Sequence, residues 1–213
     1  LYDVENSILT RITYGIDSTR GSFAPSLSAD GTMLTFTSDV DILGEGIQVG
    51  QYEVWLYDVS SGVFTRITDT DPGRLNDFPV LNADGTRLAF HSEADFLNQG
   101  DIQEGHYEIW LYDIPTDNLT RVTHGSEPFR RSRQPNLTAR GAAVVFESSS
   151  DFLGEGVDYE EYEIWKFDLP LPDPSLSKVV GDVSPQPGQR ITYTLVVNNP
   201  LDIGLSSGAI SDT

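Results

Sequence analysis

The sequence predicts an all-β protein assembled largely from one repeated unit of four short antiparallel strands. Two observations lead to this fold class. Three sequence markers recur in a fixed order at steps of about 55 residues, which indicates a repeat architecture. Within the predicted strands, apolar residues alternate with polar ones, as in strands that bury one face. No segment of useful length shows the apolar period of about 3.6 residues that is typical of a helix, so helix is a minor part of the prediction.

The three markers place the strands. A Trp-x-(Tyr/Phe)-Asp segment occurs at 55–58, 110–113 and 165–168, and a Thr-Arg-(Ile/Val)-Thr segment occurs at 10–13, 65–68 and 120–123. A Pro-x-Leu-x-Ala-x-Gly segment starts at Pro25, Pro79 and Pro135. In the first full unit we expect strands near 24–28, 33–37, 52–58 and 64–67, with a tight turn after the first strand and a long polar loop at 38–51. Four antiparallel strands per repeat are typical of a propeller blade, although the period alone permits other β-arrays.

The number of units is the first puzzle. Residues 25–78 and 79–134 make complete blades, whereas residues 1–14 supply only the last two strands of an earlier blade and residues 135–168 only the first three of a later one. A short open array leaves strand edges and apolar faces uncovered. We therefore expect either further blades or other chains to complete the structure.

The amino-acid pattern of the repeat resembles that of a known family. The pattern P-x-L-S-A-D-G-T-x-L-x-F-x-S, followed by E-I-W-L-Y-D and L-T-R-I-T, is similar to the TolB-type, WD-like propeller repeat over residues 1–168. That resemblance implies a β-propeller fold. After a Pro-rich linker at 169–174, the string P-G-Q-R-I-T-Y-T-L-V-V-N-N at 187–199 is similar to the immunoglobulin-like repeat of bacterial cell-surface proteins, so residues 175–213 are expected to begin a β-sandwich.

Composition excludes several functions. The net charge is −20, which makes nucleic acid and anionic membrane surfaces poor partners. No apolar run is long enough for a membrane span. Cysteine is absent, which removes disulfides, thiolate metal sites and thiol nucleophiles.

Acidic loops after the second strand of each blade are candidate calcium sites, because clustered carboxylates and carbonyls suit Ca²⁺. Their spacing does not match an EF-hand. The alternative is that Asp41, Asp95 and Asp151 accept hydrogen bonds from loop amides. The candidate metal ligands, and with them calcium as the candidate cofactor, are Asp39, Asp41, Glu45, Asp95, Asp101, Asp151, Glu155 and Asp158.

A glutamate also recurs at the start of each third strand, as Glu53, Glu108 and Glu163. A carboxylate repeated in every blade favours a structural hydrogen bond or an ion pair, with the arginine of Thr-Arg-Ile-Thr as a candidate partner, over acid–base catalysis. The histidines His91, His106 and His124 lack zinc-like spacing and are expected on the surface.

These observations favour a protein that is not an enzyme and that acts outside the cell or at its surface. The blades would form a rigid assembly or interaction module, and copies of the chain, or other surface proteins, would be its partners through strand addition that can propagate into filaments. Two alternatives stay open. One is the non-catalytic propeller domain of a larger secreted hydrolase, and the other is a periplasmic protein-binding module that resembles TolB.

Overall fold

The strands predicted from the repeat are present in the computed structural model. It describes residues 1–14, 18–100, 102, 105–125, 130–158, 161–169, 175–180 and 193–198. None of these residues is helical, which confirms the all-β prediction. The chain divides into two units, Leu1–Leu169 and Pro170–Thr213.

Two complete four-stranded antiparallel sheets form the centre of the first unit. In each sheet the strands lie in chain order. The first sheet contains β3 (Ser22–Leu27), β4 (Met33–Ser38), β5 (Glu53–Asp58) and β6 (Val63–Arg66). The second contains β7 (Asn76–Leu81), β8 (Arg87–Ser92), β9 (Glu108–Asp113) and β10 (Asn118–Arg121). These are the two full blades of the sequence prediction.

Two smaller sheets flank them in the chain. The hairpin β1 (Tyr2–Asp3) and β2 (Ile8–Leu9) corresponds to the last two strands of a blade. The sheet β11 (Ser132–Leu137), β12 (Ala143–Ser148) and β13 (Glu163–Asp168) corresponds to the first three. Both sheets lie where the sequence predicts partial blades, and no described strand pairs with the outer edge of β13.

The first strand of every blade bulges at the same place. The register shifts lie between Phe23 and Ser26, Asp77 and Val80, and Arg133 and Asn136. The residue before the proline in each bulge has a left-handed backbone, with φ of 50° at Ala24, 50° at Phe78 and 52° at Gln134. Such a φ costs a non-glycine residue about 1–2 kcal/mol. Its repetition shows that the bulge is a regular feature of the blade.

The apolar cores lie within and between the blades. Val54 and Leu56 of the first blade pack with Leu81, Leu88 and Phe90 of the second. In the same way, Ile109 and Leu111 of the second blade pack with Val144 and Phe146 of the third. The Ala-Asp-Gly turns and their counterpart also join across blades, since the amide of Ala29 donates to the carbonyl of Ala83 at 2.8 Å and the amide of Ala83 to Ala139 at 3.0 Å. Successive blades are thus joined by apolar packing and by backbone hydrogen bonds between their turns.

The second unit has one described pair of strands, β14 (Ser175–Val180) and β15 (Tyr193–Asn198), which are antiparallel. Both strands lie within residues 175–213, where the sequence predicts the start of a β-sandwich, and residues 181–192 between them lie outside the described residues. The Pro-rich segment 170–174 and the remainder of the expected sandwich lie outside the described residues. Among the described residues, no helix has the length and apolar character needed to cross a membrane.

Candidate functional site

A buried carboxylate joins the first blade to the second. Glu53, at the start of β5, is fully buried, and its oxygens accept five hydrogen bonds. The donors are the Gln51 side-chain amide at 3.1 Å, the Thr68 hydroxyl at 2.5 Å, the Thr70 amide and hydroxyl at 2.9 and 3.0 Å, and the Asn76 side chain of the next blade at 3.2 Å. Desolvation raises the pKa of this carboxyl, and the hydrogen bonds from Thr68 and Thr70 oppose that rise.

The second blade surrounds the corresponding carboxylate with a histidine and an arginine. Glu108 is fully buried and contacts Nε2 of His106 at 2.9 Å and the guanidinium of Arg121 at 3.1 Å. The amide of Gly125 donates to it at 2.8 Å, and the Thr123 hydroxyl donates to its other oxygen. Both complete blades therefore contain the hydrogen bonds predicted for the recurring glutamate.

The predicted partnership with the fourth-strand arginine holds in only one blade. Arg121 turns inward to Glu108, whereas Arg66 turns outward to Glu45 at 3.4 Å and to Asp69. Thr70 corresponds to Gly125, where an added Cβ would lie 2.7 Å from Nε2 of His106. The first blade has Thr70 in this space, whose hydroxyl donates to Glu53 at 3.0 Å, and Gln51 in place of His106.

The third blade leaves the same position open. Glu163 begins β13 and is exposed, because no described strand supplies the threonine that Thr68 and Thr123 provide in the other blades. Beside it lies a surface pocket of about 420 Å³ lined by Leu153, Glu155, Gly156, Val157, Glu161, Glu163, Ile164 and Trp165. The neighbouring Ile164 is 74% exposed, although its counterparts Val54 and Ile109 are fully buried.

The acidic loops are held together by their own amides. The Asp39 carboxylate accepts hydrogen bonds from the amides of Gly21 at 2.7 Å and Gly50 at 2.8 Å. Glu93, the residue at the same position of the second blade, accepts from the amides of Leu75 and Gly105 at 3.3 and 3.1 Å. This carboxylate therefore ties the long loop to the segment that precedes the first strand.

A second loop carboxylate closes the turn. Asp41 accepts from the amides of Glu45 and Gly46 at 2.7 and 3.0 Å, and Asp151 repeats the arrangement with Glu155 and Gly156 at 2.9 and 2.8 Å. The amides of Gly156 and Glu155 lower the pKa of the Asp151 carboxyl. The alternative interpretation, in which these aspartates satisfy loop amides, describes the observed contacts.

The other candidate calcium ligands are dispersed. Asp95 accepts from the amide of Gly100 at 2.6 Å, Glu45 pairs with Arg66, and Glu155 and Asp158 are exposed. Asp101 lies outside the described residues. Among the described residues, no three carboxylates or histidines are grouped so that they could hold a metal ion. The calcium site stays a prediction.

Sequence reasoning missed an arginine that pins each acidic loop. Arg20, Arg74 and Arg130 each stand five residues before the bulge proline, so their spacing was a usable signal. Arg20 donates to the carbonyls of Asp39 at 2.5 Å and Ile47 at 2.8 Å, and Arg74 donates to that of Glu93 at 3.2 Å. Arg130 donates to the carbonyls of Ser149 and Val157 in the third blade.

The expectation for the histidines was wrong for two of the three. His91 and His106 are 4% and 2% exposed, whereas His124 is exposed. His91 is enclosed by the rings of Phe78 at 5.5 Å and Tyr107 at 5.3 Å. Desolvation, with a contribution from the positive charge of Arg133, lowers the pKa of His91 to about 3. Variation between blades therefore reflected different packing at a buried position.

Comparisons with known proteins were made for sequence and for structure. No protein-family model matches the chain, and no curated protein matches it. Solved structures similar to it include a putative TolB from Agrobacterium tumefaciens, with 21% identity over 72% of this chain and 47% of that chain and a TM-score of 0.48. TolB from Acinetobacter baumannii has 19% identity over 84% and 43%, with a TM-score of 0.45.

A third similar structure is the β-propeller domain of the trilobed protease from Pyrococcus furiosus, with 12% identity over 87% of this chain and 56% of that chain and a TM-score of 0.40. The chain spans less than half the length of the two TolB structures. The assignment of propeller blades rests on the strand order and register within the chain itself.

Proposed function

We propose that this chain is a non-enzymatic protein of the cell surface or the extracellular space whose blades form a rigid assembly module, and that copies join by adding a strand of one to a sheet edge of another. The observation that carries the proposal is the third sheet. It has three strands where both complete blades have four, and the outer edge of β13 has no described partner. An open edge presents unpaired amides and carbonyls, which is how strand addition begins.

The side chains on this blade support an interface. Ile164 is 74% exposed and Leu153 is 69% exposed, and both lie at the same pocket. The positions corresponding to Ile164 are buried by the following blade in both complete units. Exposed apolar side chains that cluster beside an open edge are typical of a protein interface.

The recurring polar residues support a structural role over a catalytic one. Glu53 and Glu108 accept hydrogen bonds on both of their oxygens, and Asp39 and Asp41 are engaged by loop amides. A carboxylate saturated in this way is poorly placed to transfer protons to a substrate. A location at the cell surface is supported by the resemblance of residues 187–199 to surface-protein repeats.

A second candidate function is a protein-binding module of the TolB kind, located in the periplasm. Phe78 favours it, because its ring is 45% exposed and stacks on the buried His91. An aromatic side chain on a rigid support is typical of residues that dominate binding energy. Substitution of Phe78 by Ala would abolish capture of a protein partner in this case and would leave self-association unchanged.

Sedimentation velocity over a range of protein concentrations tests the proposed function. We expect the average mass to rise with concentration above the 23.5 kDa of one chain. Negative-stain electron microscopy of the largest species would then show linear particles. A single 23.5 kDa species at every concentration would contradict self-assembly.

A further inference from the structure

We propose that the open edge of the third blade binds an extended strand of the type Thr-Arg-(Ile/Val)-Thr, that the pocket beside Trp165 receives the arginine of this strand, and that the segment 8–13 of a second copy supplies it. The inference rests on the proposed self-assembly and names its two surfaces. It is carried by the two complete blades, which show the same strand in place.

The complete blades show how the fourth-strand arginine is recognised. Arg66 lies opposite Trp55 in the β5–β6 register and pairs with Glu45 of the acidic loop. Arg121 lies opposite Trp110 in the β9–β10 register. Its guanidinium contacts Oε1 of Gln99, the loop residue that corresponds to Glu45, at 3.3 Å and Glu108 at 3.1 Å.

The third blade has these acceptors without an arginine. Glu155 corresponds to Glu45 and Gln99, Glu163 corresponds to Glu53 and Glu108, and Trp165 forms the floor at the position of Trp55 and Trp110. Glu161 adds a third carboxylate where the other blades have Gln51 and His106. All three glutamates are exposed, and none forms an ion pair with a described residue. The pocket is therefore more acidic than its counterparts and complementary to a guanidinium.

The threonine that follows the arginine completes the match. The hydroxyls of Thr68 and Thr123 donate to Glu53 and Glu108 in the complete blades. A threonine two residues after the incoming arginine would meet Glu163 in the same way. The ligand is thus specified by its backbone, its arginine and this hydroxyl.

The chain carries one further copy of the motif, at Thr10-Arg11-Ile12-Thr13. The Arg11 guanidinium donates to the carbonyl of Thr13 at 2.9 Å and lies 4.7 Å from the centre of the Tyr14 ring. It has no carboxylate partner among the described residues, in contrast to Arg66 and Arg121. An arginine without an acid and an acidic pocket without an arginine, at separate places on one chain, favour a head-to-tail contact between two copies.

Transfer of residues 8–11 from the hairpin to β13 of a second copy would increase the number of residues that they pair with. In the hairpin, β2 pairs with β1 through Tyr2↔Leu9 and Asp3↔Ile8, and Leu1 and Thr10 exchange two further hydrogen bonds at 2.8 and 2.9 Å. On β13 the register of the complete blades would give four pairs, in which residues 11, 10, 9 and 8 face Trp165, Lys166, Phe167 and Asp168. In this register Lys166 of β13 would face Thr10. At the same position of the complete blades, a leucine of the third strand faces a threonine of the fourth strand.

Charge reversal on each surface tests the contact. Arg11→Glu removes the arginine, and Glu155→Arg closes the pocket with a like charge. Both side chains are exposed, so we expect both variants to melt at the wild-type temperature. Each variant alone should self-associate at least about tenfold more weakly than wild type by sedimentation velocity, because like charges are placed in contact.

An equimolar mixture of the two variants provides the matched control. The wild-type pocket of one variant then meets the wild-type Arg11 of the other, so we expect the mixture to recover complexes of two chains. A synthetic peptide of residues 62–69 should inhibit wild-type association, and the same peptide with glutamate in place of Arg66 should not.

The outcomes separate the two proposals. Association of wild-type strength in both variants overturns the arginine pocket and leaves self-assembly intact. Weak variants that are not rescued by mixing overturn the segment 8–13 as the occupant. A wild-type chain that is monomeric at every concentration overturns self-assembly and, with it, this contact.

Discussion

Removal of the Glu53 carboxylate is the sharpest test of how the blades hold together. In the variant Glu53→Ala, the five hydrogen bonds at this buried position lose their acceptor. Some donors keep another partner, since Gln51 also donates to the carbonyl of Thr70 at 2.6 Å and Asn76 to that of Tyr52 at 2.9 Å. Among the described residues, the Thr70 amide and the hydroxyls of Thr68 and Thr70 donate to no other acceptor.

The expected magnitude follows from those three donors. A buried donor left without an acceptor costs about 1–3 kcal/mol, so three such donors and the space left by the side chain destabilise the fold by at least about 3 kcal/mol. The matched control is Glu163→Ala, at the same position of the third blade, where the side chain is exposed. Exposed substitutions of this kind change stability by less than about 0.5 kcal/mol.

Urea unfolding followed by tryptophan fluorescence measures both variants, because the indoles of Trp55 and Trp110 are fully buried. The midpoint of Glu53→Ala should fall well below that of wild type, and that of Glu163→Ala should coincide with it. Equal midpoints for the two variants would refute the role assigned to the buried carboxylate.

Three further predictions concern the pH dependence of stability, the bulge in the first strand of each blade, and the arginine that donates to the carbonyls of each acidic loop. Burial lowers the pKa of His91 to about 3 from its ordinary value of 6.5, so the folded chain binds fewer protons than the unfolded chain between these values. The contribution of His91 to stability should be complete well above pH 6.5 and fall as the pH drops, by about 2 kcal/mol at pH 5, and His91→Gln should remove this part of the pH dependence in urea titrations. Because Gln134 has a φ of 52°, Gln134→Gly should leave the melting temperature unchanged or slightly higher. Gln134→Val should lower stability by about 1–2 kcal/mol. Equal effects of the two substitutions in calorimetry would contradict the bulge. Arg20→Met removes the donor to two loop carbonyls, so amide exchange of residues 39–50 should accelerate while the strands stay protected. Exchange that rises uniformly through the blade would contradict the pinning role.

Much of the fold could be predicted from the sequence because the same strand and turn markers occur three times in the same order. Strand order, the two complete blades and the two partial ones follow from markers at a fixed spacing. The bulge could not be predicted, since residues as different as Ala24, Phe78 and Gln134 share its left-handed backbone. The sequence signal at this position is the proline that follows, which restricts the backbone of the residue before it but does not predict a positive φ.

The candidate site was only partly accessible in the same way. The recurrence of Glu53 and Glu108 predicted a repeated hydrogen bond, and the contacts of both carboxylates show it. Arg121 contacts Glu108 whereas Arg66 contacts Glu45 and Asp69, and the first blade has Thr70 where the second has Gly125. Such compensation between neighbouring residues is a matter of packing in three dimensions, and no single position records it.

The histidines show the opposite error. We expected a surface location because the positions vary between blades, yet His91 and His106 are buried. Each is accommodated by partners that vary with it, the rings of Phe78 and Tyr107 for His91 and the Glu108 carboxylate for His106. Variation within a repeat thus does not distinguish an exposed residue from a buried one whose neighbours change too.

Cysteine trapping tests the strand exchange between copies most directly, because the natural chain contains no cysteine. In the proposed register Thr10 faces Lys166, and residues directly opposite in antiparallel strands lie close enough for a disulfide. The double variant Thr10→Cys, Lys166→Cys should form a ladder of covalent oligomers on oxidation, and a control with Thr10→Cys and Lys178→Cys should not. Only monomers, with or without an internal crosslink, would contradict the account.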